Sequence, residues 1–134
     1  MATPAERWTD AWFRAWSEHD SAALNAVYAP GPVQRAPPVR EPLVPQEYAA
    51  WAFAEEAAVE VWFAEPDGRA CAWWAISTDT GGTTVTLAGV SVLHFDDAGL
   101  VTEQRDYWHQ EDGAQPPPAD WGPVRRHGSF DAGR

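Results

Sequence analysis

Residues Thr83–His109 read TTVTLAGVSVLHFDDAGLVTEQRDYWH. Two stretches rich in β-branched and aromatic residues flank Asp96-Asp97-Ala98-Gly99. Asp and Gly supply the backbone angles a tight turn needs, so the segment predicts an antiparallel hairpin. Its first arm carries Val85, Leu87, Val90, Val92 and Leu93, and Gly89 within it predicts a bulge or a sharp bend. In the second arm, from Leu100 to His109, alternation puts Gln104, Asp106 and Trp108 on one face. Arg105, Tyr107 and His109 take the other.

The same period of two extends upstream. Val59–Phe63 reads as a strand, Pro66-Asp67-Gly68 as a turn, Arg69–Thr78 as a strand and Thr80-Gly81-Gly82 as a turn. Further upstream the period is helical. Trp8, Trp12 and Trp16 recur every four residues over 5–18. Asp20 or Ser21 can cap a second short helix carrying Leu24, Val27 and Tyr28. The proline-rich stretch 30–45 excludes regular helix and leaves room for an edge strand over Val33–Ala36. Helix returns over 46–56 with Tyr48, Trp51 and Phe53. Helices followed by a meander of strands predict an α+β domain with an antiparallel sheet. The expected domain spans 1–110. Residues 111–134, rich in Pro, Gly and charge, read as a C-terminal tail that Trp121 docks on the body.

Composition narrows the function. A net charge of -11, with arginine as the only basic side chain, disfavours nucleic acid and anionic membranes as partners. The single cysteine, Cys71, forbids an intrachain disulfide and reads as an inert core thiol. No signal-peptide pattern follows Met1 and no stretch approaches the ~20 apolar residues of a membrane span, so a cytoplasmic location is expected. His19, His94, His109 and His127 lack metal-ligand spacing, and no metal or cofactor is expected. Nine tryptophans in 134 residues point to an aromatic-walled cavity for a small organic molecule. The all-arginine, Ala- and Pro-rich composition is what a GC-rich bacterial genome gives.

Three local stretches carry a family likeness: Ala15–Asp20 with Ala23–Ala29, the hairpin Val92–Val101, and Gln104–Trp108. Together they resemble the nuclear transport factor 2-like fold, which includes ketosteroid isomerase, limonene epoxide hydrolase and SnoaL-like polyketide cyclases. The resemblance covers about residues 5–110 and implies a curved antiparallel sheet wrapped around N-terminal helices as a cone-shaped barrel. It also implies homodimerisation through the outer sheet face. By position, the base of ketosteroid isomerase falls on Ala36, its tyrosine on Trp12 and its protonated aspartate on Ser91, so none of the three is kept. Arg105-Asp106-Tyr107 is similar to the final strand of limonene epoxide hydrolase, but Cys71–Ile76 lacks the charged partners that enzyme needs. The one inward aspartate of SnoaL-like cyclases corresponds to Asp106.

Asp106 is therefore the candidate catalytic residue, because a carboxylate desolvated among tryptophans becomes a usable base near neutral pH. A structural role, paired with Gln104 or Ser91, is the competing reading. The candidate ligand-binding residues are Trp12, Tyr28, Trp51, Trp73, Ser91, Gln104 and Trp108. Only one of Trp73 and Trp74 can face inward. Arg40-Glu41-Pro42 lies where it can flank the pocket mouth or remain a solvated pair. The expected function is a cofactor-free isomerase, cyclase or lyase acting on an apolar or aromatic metabolite. The alternative is a non-catalytic binding or dimerising module.

Overall fold

A computed structural model describes residues 1–133. Helix α1 (Pro4–Glu18) starts at a capping box: Thr3 Oγ1 accepts from the Glu6 N–H while Glu6 Oε1 accepts from the Thr3 N–H. It stops at His19, whose φ of 51° is left-handed. The expected tryptophan stripe faces the core, with Trp8 and Trp12 buried. The second helix is shorter than expected. A 3-10 helix covers only Ser21–Ala26, and Tyr28 already opens strand β1 (Tyr28–Arg35). Helix α2 spans Pro45–Glu55. Strands β2 (Glu56–Ala64), β3 (Ala70–Asp79), β4 (Thr84–Phe95) and β5 (Val101–Asp112) form the expected meander.

Two readings of the sheet need correction. First, it is mixed. With β6 (Val124–Asp131) the order is β1-β5-β4-β3-β2-β6, and β1 runs parallel to β5 while the other pairs are antiparallel. Short turns fix direction only between consecutive strands. β1 reaches β5 without such a turn, so local turn chemistry could not orient it. The sheet is also open rather than a closed barrel, with β1 and β6 at its edges.

Second, the stretch expected as a C-terminal tail contains strand. β5 continues to Asp112, and Val124–Asp131 forms β6, paired antiparallel with β2 from Ala58↔Asp131 to Ala64↔Val124. Arg125 anchors this strand by ion pairs to Glu6, Asp10 and Glu65 at 3.0, 3.2 and 2.9 Å. Gly128 lets α1 close on it: a Cβ there would sit 2.7 Å from Phe13 Cζ. Trp121 does dock, edge-on to Trp74 on the outer face.

The core lies between the concave face of the sheet and the two helices, built around Trp8, Leu24, Phe53, Val61, Phe63 and Leu93. Among the described residues, no helix is long and apolar enough to cross a membrane.

Candidate functional site

Strand register builds the site in rows. Cys71, Ser91 and Asp106 stand opposite one another on β3, β4 and β5, and Trp73, Gly89 and Trp108 form the next row. Alternation turns all of these inward. Gly89 is required by close approach, not by a bulge, since register runs unbroken through it and shifts only at His94/Phe95. A Cβ on Gly89 would collide with the Tyr107 carbonyl oxygen and lie 2.8 Å from Trp108 Cβ. Trp73 is the inward member of its pair. Trp74 points out, and its indole N–H donates to the Gln115 carbonyl at 2.8 Å.

These rows and α2 enclose a cavity of about 300 Å³. Trp12, Trp73 and Trp108 form its walls, and Trp51, 62% exposed, stands at its rim. Ser91, Gln104 and Asp106 line it. Cys71 lies behind them, buried, with Thr9 Oγ1 donating to its sulfur and burial pushing the thiol up to about 11. That agrees with an inert core thiol.

Asp106 is 6% exposed and accepts from three side chains. Ser91 Oγ donates to Oδ1 at 2.6 Å, Gln34 Nε2 to Oδ2 at 2.7 Å, and Gln104 Nε2 to Oδ1 at 3.0 Å. Donor-only indoles set the direction of two of these bonds. Trp73 Nε1 donates to Ser91 Oγ, so the Ser91 proton is directed to Asp106. Trp8 Nε1 donates to Gln104 Oε1, so the Gln104 amide turns its NH₂ toward the carboxylate. Burial raises the Asp106 pKa above the ordinary carboxylate range, and the three donors pull back against it.

Tyr28 departs from expectation. Its hydroxyl receives the indole N–H groups of Trp8 and Trp12 and itself donates to Gln104 Oε1. It sits behind the cavity wall, not in it, and burial drives its pKa upward. Its part is to orient Gln104, which in turn orients toward Asp106.

Three features escaped the sequence reading. Gln34 faces the site because β1 pairs with β5 at Gln34↔Gln104. Tyr48 of α2 lines the cavity, with its pKa raised by burial and then by the Asp106 charge. A second carboxylate, Glu56, also lines it. Trp16 Nε1 donates to its Oε1 at 3.0 Å, His19 Nε2 lies 2.7 Å from the same oxygen, and Ser77 Oγ donates to Oε2 at 2.5 Å. Burial raises the Glu56 pKa, against its hydrogen bonds and His19. The His19 ring is stacked between Phe53 and Phe130, with centroids 4.8 and 3.5 Å away. Arg40 and Glu41 line a neighbouring hollow that shares Tyr48 and Trp51 with the cavity. Among the described residues, no group of His, Cys, Asp and Glu is placed to hold a metal.

An α+β chain with this cavity and an inward aspartate on the last meander strand can be set beside known families. The family model described as a SnoaL-like domain matches residues 9–104. The chain belongs to the SnoaL-like family. The match stops two residues short of Asp106. Solved structures agree on the fold. RV0760c from Mycobacterium tuberculosis is 23% identical with a TM-score of 0.66, covering 84% of this chain and 98% of that one. A second structure of RV0760c, in complex with estradiol-17beta-hemisuccinate, has a TM-score of 0.65 at 24% identity and covers 82% and 99%. A computationally designed 17-OHP binder has a TM-score of 0.59 at 24% identity, over 84% of this chain and 100% of its own. No curated protein matches the sequence.

Proposed function

We propose that this SnoaL-like chain is a cofactor-free enzyme that moves a proton on an apolar or aromatic small molecule, with Asp106 as general acid and base. One observation carries the reading: a 6% exposed carboxylate lines an aromatic cavity and has its pKa raised by burial. Such a group holds a proton to higher pH than an ordinary carboxylate, which suits it to taking a proton and returning it. A carboxylate offers about four acceptor positions. Ser91 and Gln34 take one each, and Gln104 Nε2 is shared between both oxygens at 3.0 and 3.2 Å, so a ligand proton enters by displacing one of these two longer contacts. The aromatic walls favour a flat or fused apolar body. Proton-transfer isomerisation, aldol-type cyclisation, dehydration and epoxide opening each include a proton transfer that such a group can make.

The test is turnover by Asp106→Asn against the parent on steroids, which structural neighbours bind, then on polyketide-like aromatics and terpene epoxides. Loss of general acid–base catalysis costs roughly 10²–10⁴-fold, with binding retained. Equal turnover by both proteins removes Asp106 from the mechanism.

A second reading is favoured by the same network. Three protein donors already hold Asp106, which suits a structural carboxylate in a non-catalytic binding module. That reading requires ligand binding without turnover, indifferent to Asp106→Asn. The homodimer through the outer sheet face belongs to this reading; Tyr107 stands 46% exposed on that face. A monomeric mass in solution excludes it.

A further inference from the structure

Resting on the reading of this cavity as a ligand site, we propose that it selects hydrophobic amines: molecules with an aromatic or fused apolar body and a protonated nitrogen. Two independent features of the wall point there.

The first is charge. Glu55, Glu56, Asp79 and Asp106 all line the cavity, and no arginine, lysine or histidine does so among the described residues. Arg40 lies in the neighbouring hollow, in company with Glu41 and Glu47. His19 stands behind Glu56, outside the lining. A cleft lined by acidic groups favours cationic ligands over anionic ones: exposed Glu55 and Asp79 carry charge on the solvent side, and a ligand ammonium favours the ionised form of half-buried Glu56 and buried Asp106. The walls themselves are indoles, the aromatic faces that attract a cation best.

The second feature is hydrogen-bond polarity. The most deeply buried donors are committed to protein acceptors, while the half-buried Tyr48 hydroxyl and Trp108 indole N–H in the wall have none. The Trp8 and Trp12 indoles donate to Tyr28, the Trp73 and Trp16 indoles to Ser91 and Glu56, the Ser91 and Ser77 hydroxyls to Asp106 and Glu56. Among the fully buried polar atoms of the lining, the one left open is an acceptor. Gln34, which lines the cavity and is 1% exposed, keeps its Oε1 without any partner while its Nε2 serves Asp106. An unpaired buried acceptor costs about 1–3 kcal/mol, so a ligand that supplies N–H groups near it gains twice, by pairing it and by neutralising carboxylates. A carboxylate-bearing ligand gains neither and meets the charges head on.

Three probes of one shape separate these effects: naphthylethylamine, naphthylethanol and naphthylacetate, titrated calorimetrically at neutral pH. The amine is expected to bind about tenfold tighter than the alcohol, and the acid not measurably. In the Glu55→Gln, Asp79→Asn double variant the amine loses several-fold and the alcohol is unchanged. Both substitutions are at exposed positions, and Asp79→Asn retains a side-chain oxygen to accept from the Gly81 and Thr83 N–H groups. Glu56→Gln, near-isosteric, lowers the amine-to-alcohol ratio further. Binding of the alcohol as tightly as the amine, or any preference for the acid, overturns the inference and leaves the ligand cavity standing. Failure of all three to bind overturns the inference and the cavity reading together.

Discussion

Ser91 Oγ lies 2.6 Å from Asp106 Oδ1 and 3.0 Å from the Trp73 indole nitrogen, so one hydroxyl links the cavity wall to its carboxylate in a fixed direction. The indole can only donate, and the hydroxyl passes that polarity on. Ser91→Ala removes a donor from Asp106 and leaves the Trp73 N–H unpaired in a buried site. The expected cost is about 1–3 kcal/mol in chemical denaturation. The Asp106 pKa should rise further, seen in a carboxyl-carbon NMR titration.

The raised pKa of Asp106 has a thermodynamic consequence. In the folded protein it holds its proton to higher pH than in the unfolded chain. Its contribution to stability is therefore full below the unfolded value of about 3.9 and is lost as pH rises through the folded pKa. Asp106→Asn has no such loss. Its stability relative to the parent is expected to grow as pH rises from acid to neutral, measured by urea unfolding across that range. Asparagine also fits the network: Gln34 can reverse its amide, because its Oε1 has no other partner, and accept from the new NH₂. Glu56 shares the direction of shift, so the variant cancels only part of the parent's pH dependence. A difference independent of pH would mean an Asp106 of ordinary pKa.

Gly89→Ala puts a methyl into the Tyr107 carbonyl and against Trp108. Overpacking of this kind costs typically about 1–3 kcal/mol. Here the neighbour is backbone in a paired strand and cannot swing aside, so the upper part of that range is expected. A thermal melt reads it directly.

Ending the chain after Asp112 removes β6. That bares the edge of β2, takes Arg125 from Glu6, Asp10 and Glu65, and uncovers the face of His19 against which Phe130 stacks. An unprotected long edge strand pairs with other chains. The truncated chain is expected to melt lower and to form soluble aggregates in size-exclusion chromatography.

What the sequence disclosed follows the range of the forces involved. The meander, the Asp96–Gly99 turn and the shared face of Gln104, Asp106 and Trp108 rest on period-two alternation and turn chemistry, which act over a few residues; that this face points inward was implied by the family resemblance. The β1–β5 pairing and β6 rest on long-range contacts. Val124–Asp131 reads Val-Arg-Arg-His-Gly-Ser-Phe-Asp, with no apolar alternation to mark a strand. Its β state comes from pairing with β2 and from the carboxylates around Arg125. The same limit hid Gln34 and misdirected Tyr28. Gln34 enters the site only through a parallel partner, and Tyr28 commits its hydroxyl to two indoles and an amide that no local pattern brings together. Glu56 was passed over because it stands where α2 gives way to β2, a boundary at which neither period assigns a face.

The nine tryptophans provide the most direct check on the central claim, because each indole N–H gives its own signal in a nitrogen–proton NMR correlation spectrum. The spectrum would be followed during titration with naphthylethylamine, and repeated with naphthylethanol. Shifts are expected at Trp12, Trp51, Trp73 and Trp108, which line the cavity, and none at Trp62, Trp74 and Trp121, which pack against His127, Gln115 and one another on the far side of the sheet. Shifts confined to Trp62, Trp74 and Trp121, or no shift at saturating ligand, would contradict it.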